Sequence, residues 1–160
     1  MLKNTNKGFT LIELIMVMII LGIMAAVAIP RYLETIQKSE IAAEDAVVTK
    51  IMVALENYAQ NKMVTQGRRY WPDNPFDALT TKPQTYSLDG TASDEDNEWT
   101  YVVDASDGTY TGYISHQRAD NTRFQWSYNR GVNTGTDNDV TGTLWKRTDL
   151  GTGGSGVLFQ

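Results

Sequence analysis

One carboxylate, Glu13, interrupts an apolar run of 21 residues from Phe9 to Ile29, and the eight residues ahead of that run carry Lys3 and Lys7 and end in Gly8. A charge in an apolar setting is costly, so the pattern calls for a pairing partner, or for a side chain that snorkels to water or stays protonated. The chemistry on offer is ion pairing rather than catalysis. Cysteine is absent, and His116 is the only histidine. The chain contains no His-Glu-x-x-His, no phosphate-cradling Gly-x-x-x-x-Gly-Lys and no Gly-x-Ser-x-Gly, so its motifs assemble no catalytic constellation and no enzymatic activity is expected.

The element that positions Glu13 follows from length. At about 1.5 Å per residue, a helix over Phe9–Ile29 spans roughly 30 Å, the thickness of a bilayer's hydrocarbon core. Lys3 and Lys7, with no acid beside them, predict a cytoplasmic N-terminus and an exported remainder, hence a single-pass protein. A secretory signal would place its cleavage site after the apolar stretch. Here the junction Lys7-Gly8-Phe9-Thr10-Leu11-Ile12-Glu13-Leu14 lies before it, so cleavage at Gly8 keeps the membrane helix.

The stretch from Gly8 to Tyr32, GFTLIELIMVMIILGIMAAVAIPRY, resembles the prepilin signature of type IV pilins and of the pseudopilins of type II secretion. The resemblance implies that a membrane-embedded aspartyl peptidase cuts between Gly8 and Phe9 and N-methylates Phe9, and that Glu13 assists assembly. A buried carboxylate is tolerable mainly beside a cation, so Glu13 of an arriving subunit would pair with the new Phe9 amine of a docked one and set register along a filament. Gly22 and Pro30 fall where the family's first helix is weak. The implied partners are copies of itself in a helical homopolymer, the prepilin peptidase, an assembly platform protein, a motor ATPase, minor pilins, and the inner membrane that holds the precursor. The implied location is a single-pass precursor with a cytoplasmic leader, then an extracellular pilus or a periplasmic pseudopilus. The implied function is that of a structural subunit of a type IV pilus-like filament serving adhesion, motility, DNA uptake or secretion. A pseudopilin of a type II secretion system and a membrane-tethered binding module are the alternatives.

Beyond Pro30 the composition turns charged and amphipathic, with no stop signal before Gln66-Gly67. The helix is therefore expected to continue over 31–66. Leu33, Ile36, Val47, Val48, Ile51, Leu55 and Tyr58 form its buried stripe, and Glu34, Lys38, Glu40, Glu44, Lys50 and Glu56 lie outside it. Proline lacks an N–H and costs about 3 kcal/mol inside a helix, so Pro30 is expected to kink or open it, with Gly22 a second weak point. Two readings of Pro30 stay open, a simple exit from the membrane and a site of extension in the filament.

Residues 67–97 read as a loop around Pro72 and Pro75, tacked down by Trp71 and Phe76. Residues 98–148 carry the sheet. Alternation at Trp99, Tyr101 and Val103 gives one strand, Ser106-Asp107-Gly108 a turn, Tyr110 to His116 a second strand, and Arg123 to Tyr128 a third. Phe124, Trp126 and Tyr128 share a face suited to the helix, and a fourth strand runs from Val140 to Trp145. Residues 149–160 read as a flexible tail, whose Val157–Gln160 resembles part of a viral protease recognition site left by recombinant tagging. The expected fold is α+β and pilin-like. A leader at 1–8 precedes an apolar helix at 9–30, and its amphipathic continuation to 66 packs on an antiparallel sheet of three or four strands.

The net charge of −5 becomes −7 in side chains once Lys3 and Lys7 leave with the leader. That balance argues against general affinity for nucleic acid and leaves only local patches at Arg68 and Arg69, or at Arg118 and Arg123. Export gives an oxidising setting, yet without cysteine the tail has no disulfide staple. Calcium is an alternative staple, since Asp94-Glu95-Asp96-Asn97-Glu98 and Asp137-Asn138-Asp139 supply hard oxygen ligands, although neither string has a recognisable coordination pattern. No other cofactor is expected.

Overall fold

The structure, a computed structural model, describes residues 8–104, 111–130, 143–144 and 147–152. The leader before Gly8, the Ser106-Asp107-Gly108 turn, Asp137-Asn138-Asp139 and Val157–Gln160 lie outside the described residues. The chain forms two compact units, one up to Ala43 and one from Glu44 onward, and each is described by itself.

Helix α1 (Leu11–Gln66) begins directly after Thr10 and ends where Gly67 adopts φ +75°. The Gly67 N–H donates to the Met63 carbonyl at 3.0 Å, closing a left-handed C-terminal cap that glycine enters without steric cost. In the first unit the apolar side chains point outward, with Leu11 75% and Ile23 63% exposed. The helix continues unbroken through Gly22 and Pro30. Proline's fixed φ of about −65° is itself helical, and the position forfeits one hydrogen bond, the one the Ala26 carbonyl would have accepted.

In the second unit the rest of α1 meets an antiparallel sheet of β1 (Trp99–Asp104), β2 (Thr111–Gln117), β3 (Thr122–Asn129), β4 (Thr143–Leu144) and β5 (Thr148–Thr152). Strands β1, β2 and β3 form a meander, while β4 and β5 pair with opposite ends of β3 along the same edge. Register places Trp99, His116 and Phe124 in one row, Tyr101, Ile114 and Trp126 in the next, and Val103, Gly112 and Tyr128 in the third. This face shares one core with Val48, Ile51, Leu55 and Ala59 of α1 and with Trp71, Phe76 and Leu79 of the connecting segment. Each fully buried Ile, Leu or Phe there is worth about 1.5–3 kcal/mol. Gly112 is a packing requirement: a Cβ at that position would sit 2.5 Å from the Tyr101 hydroxyl.

Several expectations are corrected. The buried stripe runs Glu44, Val48, Ile51, Leu55 and Ala59, whereas Leu33 is 54% exposed and Tyr58 only half-buried. Val103, which shares a row with Gly112, is exposed. The connecting segment holds a short 3₁₀ helix, Pro75–Ala78, capped by the Asn74 side chain, which accepts from the Phe76 N–H at 2.9 Å. Residues 149–152 of the supposed tail join Thr148 in strand β5. Arg123 pairs with Gly151 and Phe124 with Asp149, leaving Leu150 as the extra residue of a bulge that Gly151 permits at φ +84°.

Candidate assembly site

Gly8 and Phe9 precede α1 and are exposed, Phe9 to 87%. Thr10 caps the helix, and Glu13 reaches back to it. The Glu13 carboxylate accepts from the Thr10 N–H and from the Thr10 hydroxyl, both at 2.8 Å, while the Glu13 N–H donates to the Thr10 hydroxyl oxygen at 3.3 Å. This is a capping box, in which two donors orphaned at a helix start are satisfied reciprocally. The Thr-x-x-Glu spacing ahead of an apolar run was the signal for it. Glu13 is exposed, as are the apolar residues around it from Phe9 to Ile29, and α1 is long and apolar enough to cross a membrane by length and composition. Gly22 has open space where a Cβ would stand, so no packing among the described residues demands glycine there.

A second carboxylate on the same helix was placed outside the stripe by its charge, and the structure puts it inside. Glu44 is 1% exposed. Arg118 grips it with two bonds of 2.7 Å, Nε to Oε1 and Nη2 to Oε2, Arg147 Nη1 donates to Oε2 at 2.9 Å, and His116 Nδ1 lies 3.1 Å from Oε1. Burial alone would raise the Glu44 pKa, but the bonds from Arg118 and His116 outweigh it and hold the carboxyl down at about 2. Both guanidiniums also face the Phe124 ring, Arg118 at 4.0 Å and Arg147 at 5.3 Å. His116 stacks on Trp99 with ring centroids 4.3 Å apart. The histidine is therefore a core residue.

The remaining candidates are spent locally. Arg118 and Arg123 are buried, so they form no surface patch for nucleic acid, and Arg69 pairs with Glu56 and lies over the Trp71 ring. Glu98 is buried with its Oε2 accepting from the Asp94 and Glu95 N–H groups at 2.8 and 3.3 Å, so the first acidic string caps its own turn. Among the described residues no cluster of three or more carboxylate or histidine side chains is positioned to hold a metal. A groove of about 890 Å³ between α1 and residues 78–81 is lined by Lys50, Asn57, Tyr58 and Thr80 among others.

Residues 3–29 match the prokaryotic N-terminal methylation motif. The type IV narrow pilus major component PilA5 of Thermus thermophilus is 33% identical over 106 residues, 66% of this chain and 84% of that protein. The chain belongs to the type IV pilin family. The type IV major pilin PilE1 of Neisseria gonorrhoeae is 26% identical over 153 residues, 94% of this chain and 74% of that pilin. The type IV major fimbrial protein FimA of Dichelobacter nodosus is 42% identical over 55 residues, so the chain spans about a third of that pilin's length, 35%. No solved structure matches the chain. The long helix, its apolar first part and the antiparallel sheet make a pilin-like α+β fold.

Proposed function

We propose that the chain is a structural subunit of a type IV pilus-like filament, made as a membrane-held precursor, cut between Gly8 and Phe9, N-methylated on Phe9, and assembled by bundling its apolar helices. The observation that carries this reading is an outward-facing apolar helix, Leu11 to Ile29, headed by an exposed carboxylate that, among the described residues, bonds to Thr10, three residues away. In lipid such a surface is satisfied by acyl chains, and in a filament by neighbouring helices, where packing and polar pairing replace the bilayer. Cleavage creates an ammonium on Phe9, and Glu13 of an adjacent subunit can exchange its local bonds for that charge.

The prepilin peptidase, an assembly platform, a motor ATPase and minor pilins are the partners this route requires. PilA5, PilE1 and FimA are named as major pilus or fimbrial components, which supports a surface pilus over a periplasmic pseudopilus. The test is Glu13→Ala expressed in place of the parent: the leader is still removed while sheared filament yield falls. Unchanged filament yield would contradict the role of Glu13.

A further inference from the structure

The Glu44 cluster is an arrangement that the filament reading does not use. Its members come from four places in the sequence: Glu44 on α1, His116 on β2, Arg118 in the β2–β3 turn, and Arg147 immediately before β5. Arg147 is the one that ties down the C-terminal edge. Strand β5 needs such a tie, because Thr148, Asp149 and Gly151 are exposed, Leu150 is only half-buried, and none of them belongs to the core. The ladder from β5 to β3 is also broken by the bulge at Leu150, and β4 beside it has two residues. A short, bulged edge strand that buries no apolar side chain is held weakly by its ladder alone.

We propose that Glu44 is a clasp, a buried carboxylate on α1 that, through Arg147, locks the C-terminal edge strand β5 to the helix and serves this cysteine-free unit as a disulfide would. The clasp opens in two stages. Arg147 is 27% exposed and closes the cluster on its outer side, also reaching Asp45 at 4.0 Å, whereas Arg118 is 6% exposed and holds Glu44 through both oxygens. Release of Arg147 leaves the carboxylate gripped by Arg118, so β5 can detach while β1, β2 and β3 stay packed. Loss of the carboxylate itself strands two cations and loosens both β5 and the β2–β3 turn.

The experiment is hydrogen exchange read by mass spectrometry on the full chain in detergent micelles, comparing the parent with Arg147→Gln and Glu44→Gln. For Arg147→Gln, exchange across Thr148–Thr152 is expected to rise about tenfold or more, the effect of losing one charge-assisted bond, with Trp99–Tyr101 and Ile114 unchanged. For Glu44→Gln the acceleration is expected to extend to Arg118–Thr122. Parent-like protection of Thr148–Thr152 in Arg147→Gln would overturn the clasp, and so would equal acceleration of every strand in that variant. The proposal stands or falls on this result whether or not the chain enters a filament.

Discussion

Glu13 and Glu44 are two carboxylates on one helix, and they are satisfied in opposite ways. Glu13 is exposed among exposed apolar side chains and, among the described residues, bonds to Thr10, three residues away. Glu44 is buried and bonds to groups 72, 74 and 103 residues away. A carboxylate held by its own helix turn can be given up to an incoming cation at small cost, since a cap is worth about 1 kcal/mol. A carboxylate enclosed by two guanidiniums cannot, because removing one side of a buried pair costs about 3 kcal/mol or more. On the proposed filament reading, the difference separates a group available for assembly from a group committed to the fold.

The largest expected effect that would break this comparison lies in assembly. Glu13→Ala is expected to reduce sheared filament yield on the order of tenfold or more, because the Phe9 ammonium would be left without a buried partner. Chemical denaturation of the same variant is expected to follow the parent. Loss of stability in the sheet unit would remove the distinction between the two sites.

Glu44→Gln is the mirror experiment. Denaturant unfolding of the second unit is expected to show a loss of about 3 kcal/mol, with leader cleavage unaffected. A change within the ±0.5 kcal/mol typical of surface substitutions would place Glu44 on the surface after all.

Acid titration sharpens the same point. The folded Glu44 pKa lies below its ordinary 4.5, at about 2, so the unfolded chain takes up this proton first as pH falls. The contribution of Glu44 to stability is therefore complete above pH 4.5 and is lost between there and about pH 2. Glu44→Gln is expected to flatten that part of the stability profile, and a parental slope in the variant would assign it to other carboxyl groups.

The smallest effect belongs to the capping box. Thr10→Val removes the hydroxyl and is expected to cost about 1 kcal/mol locally, seen as faster amide exchange in the first turn of α1 with no change in Trp99–Asp104. Unchanged exchange in the first turn would mean that the box does not hold Glu13.

What the sequence made legible follows the range of the interactions. The limits of α1 were readable because their causes are local: the apolar run, and a glycine placed where the helix must stop. The core positions of β3 were readable from alternation, since Trp126 and Tyr128 are large and share a face. Glu44 was not, because charge argues for the surface and its partners are distant in the chain. One clue was present, a four-residue step to Val48 that continues the stripe Val48, Ile51, Leu55 and Ala59. Strand β5 was hidden for the same reason. Its Thr-Asp-Leu-Gly-Thr composition reads as a linker, and only pairing with β3 and the placement of Arg147 make it a strand.

The most direct test of the filament reading is mass spectrometry of the N-terminal peptide of this chain in filaments sheared from the cell surface. The expected result is an abundant chain that begins at Phe9 and carries one added methyl group on its amine. A chain that still begins before Gly8, or that is missing from sheared filaments while processed protein stays in the envelope, would contradict its role as a surface pilus subunit.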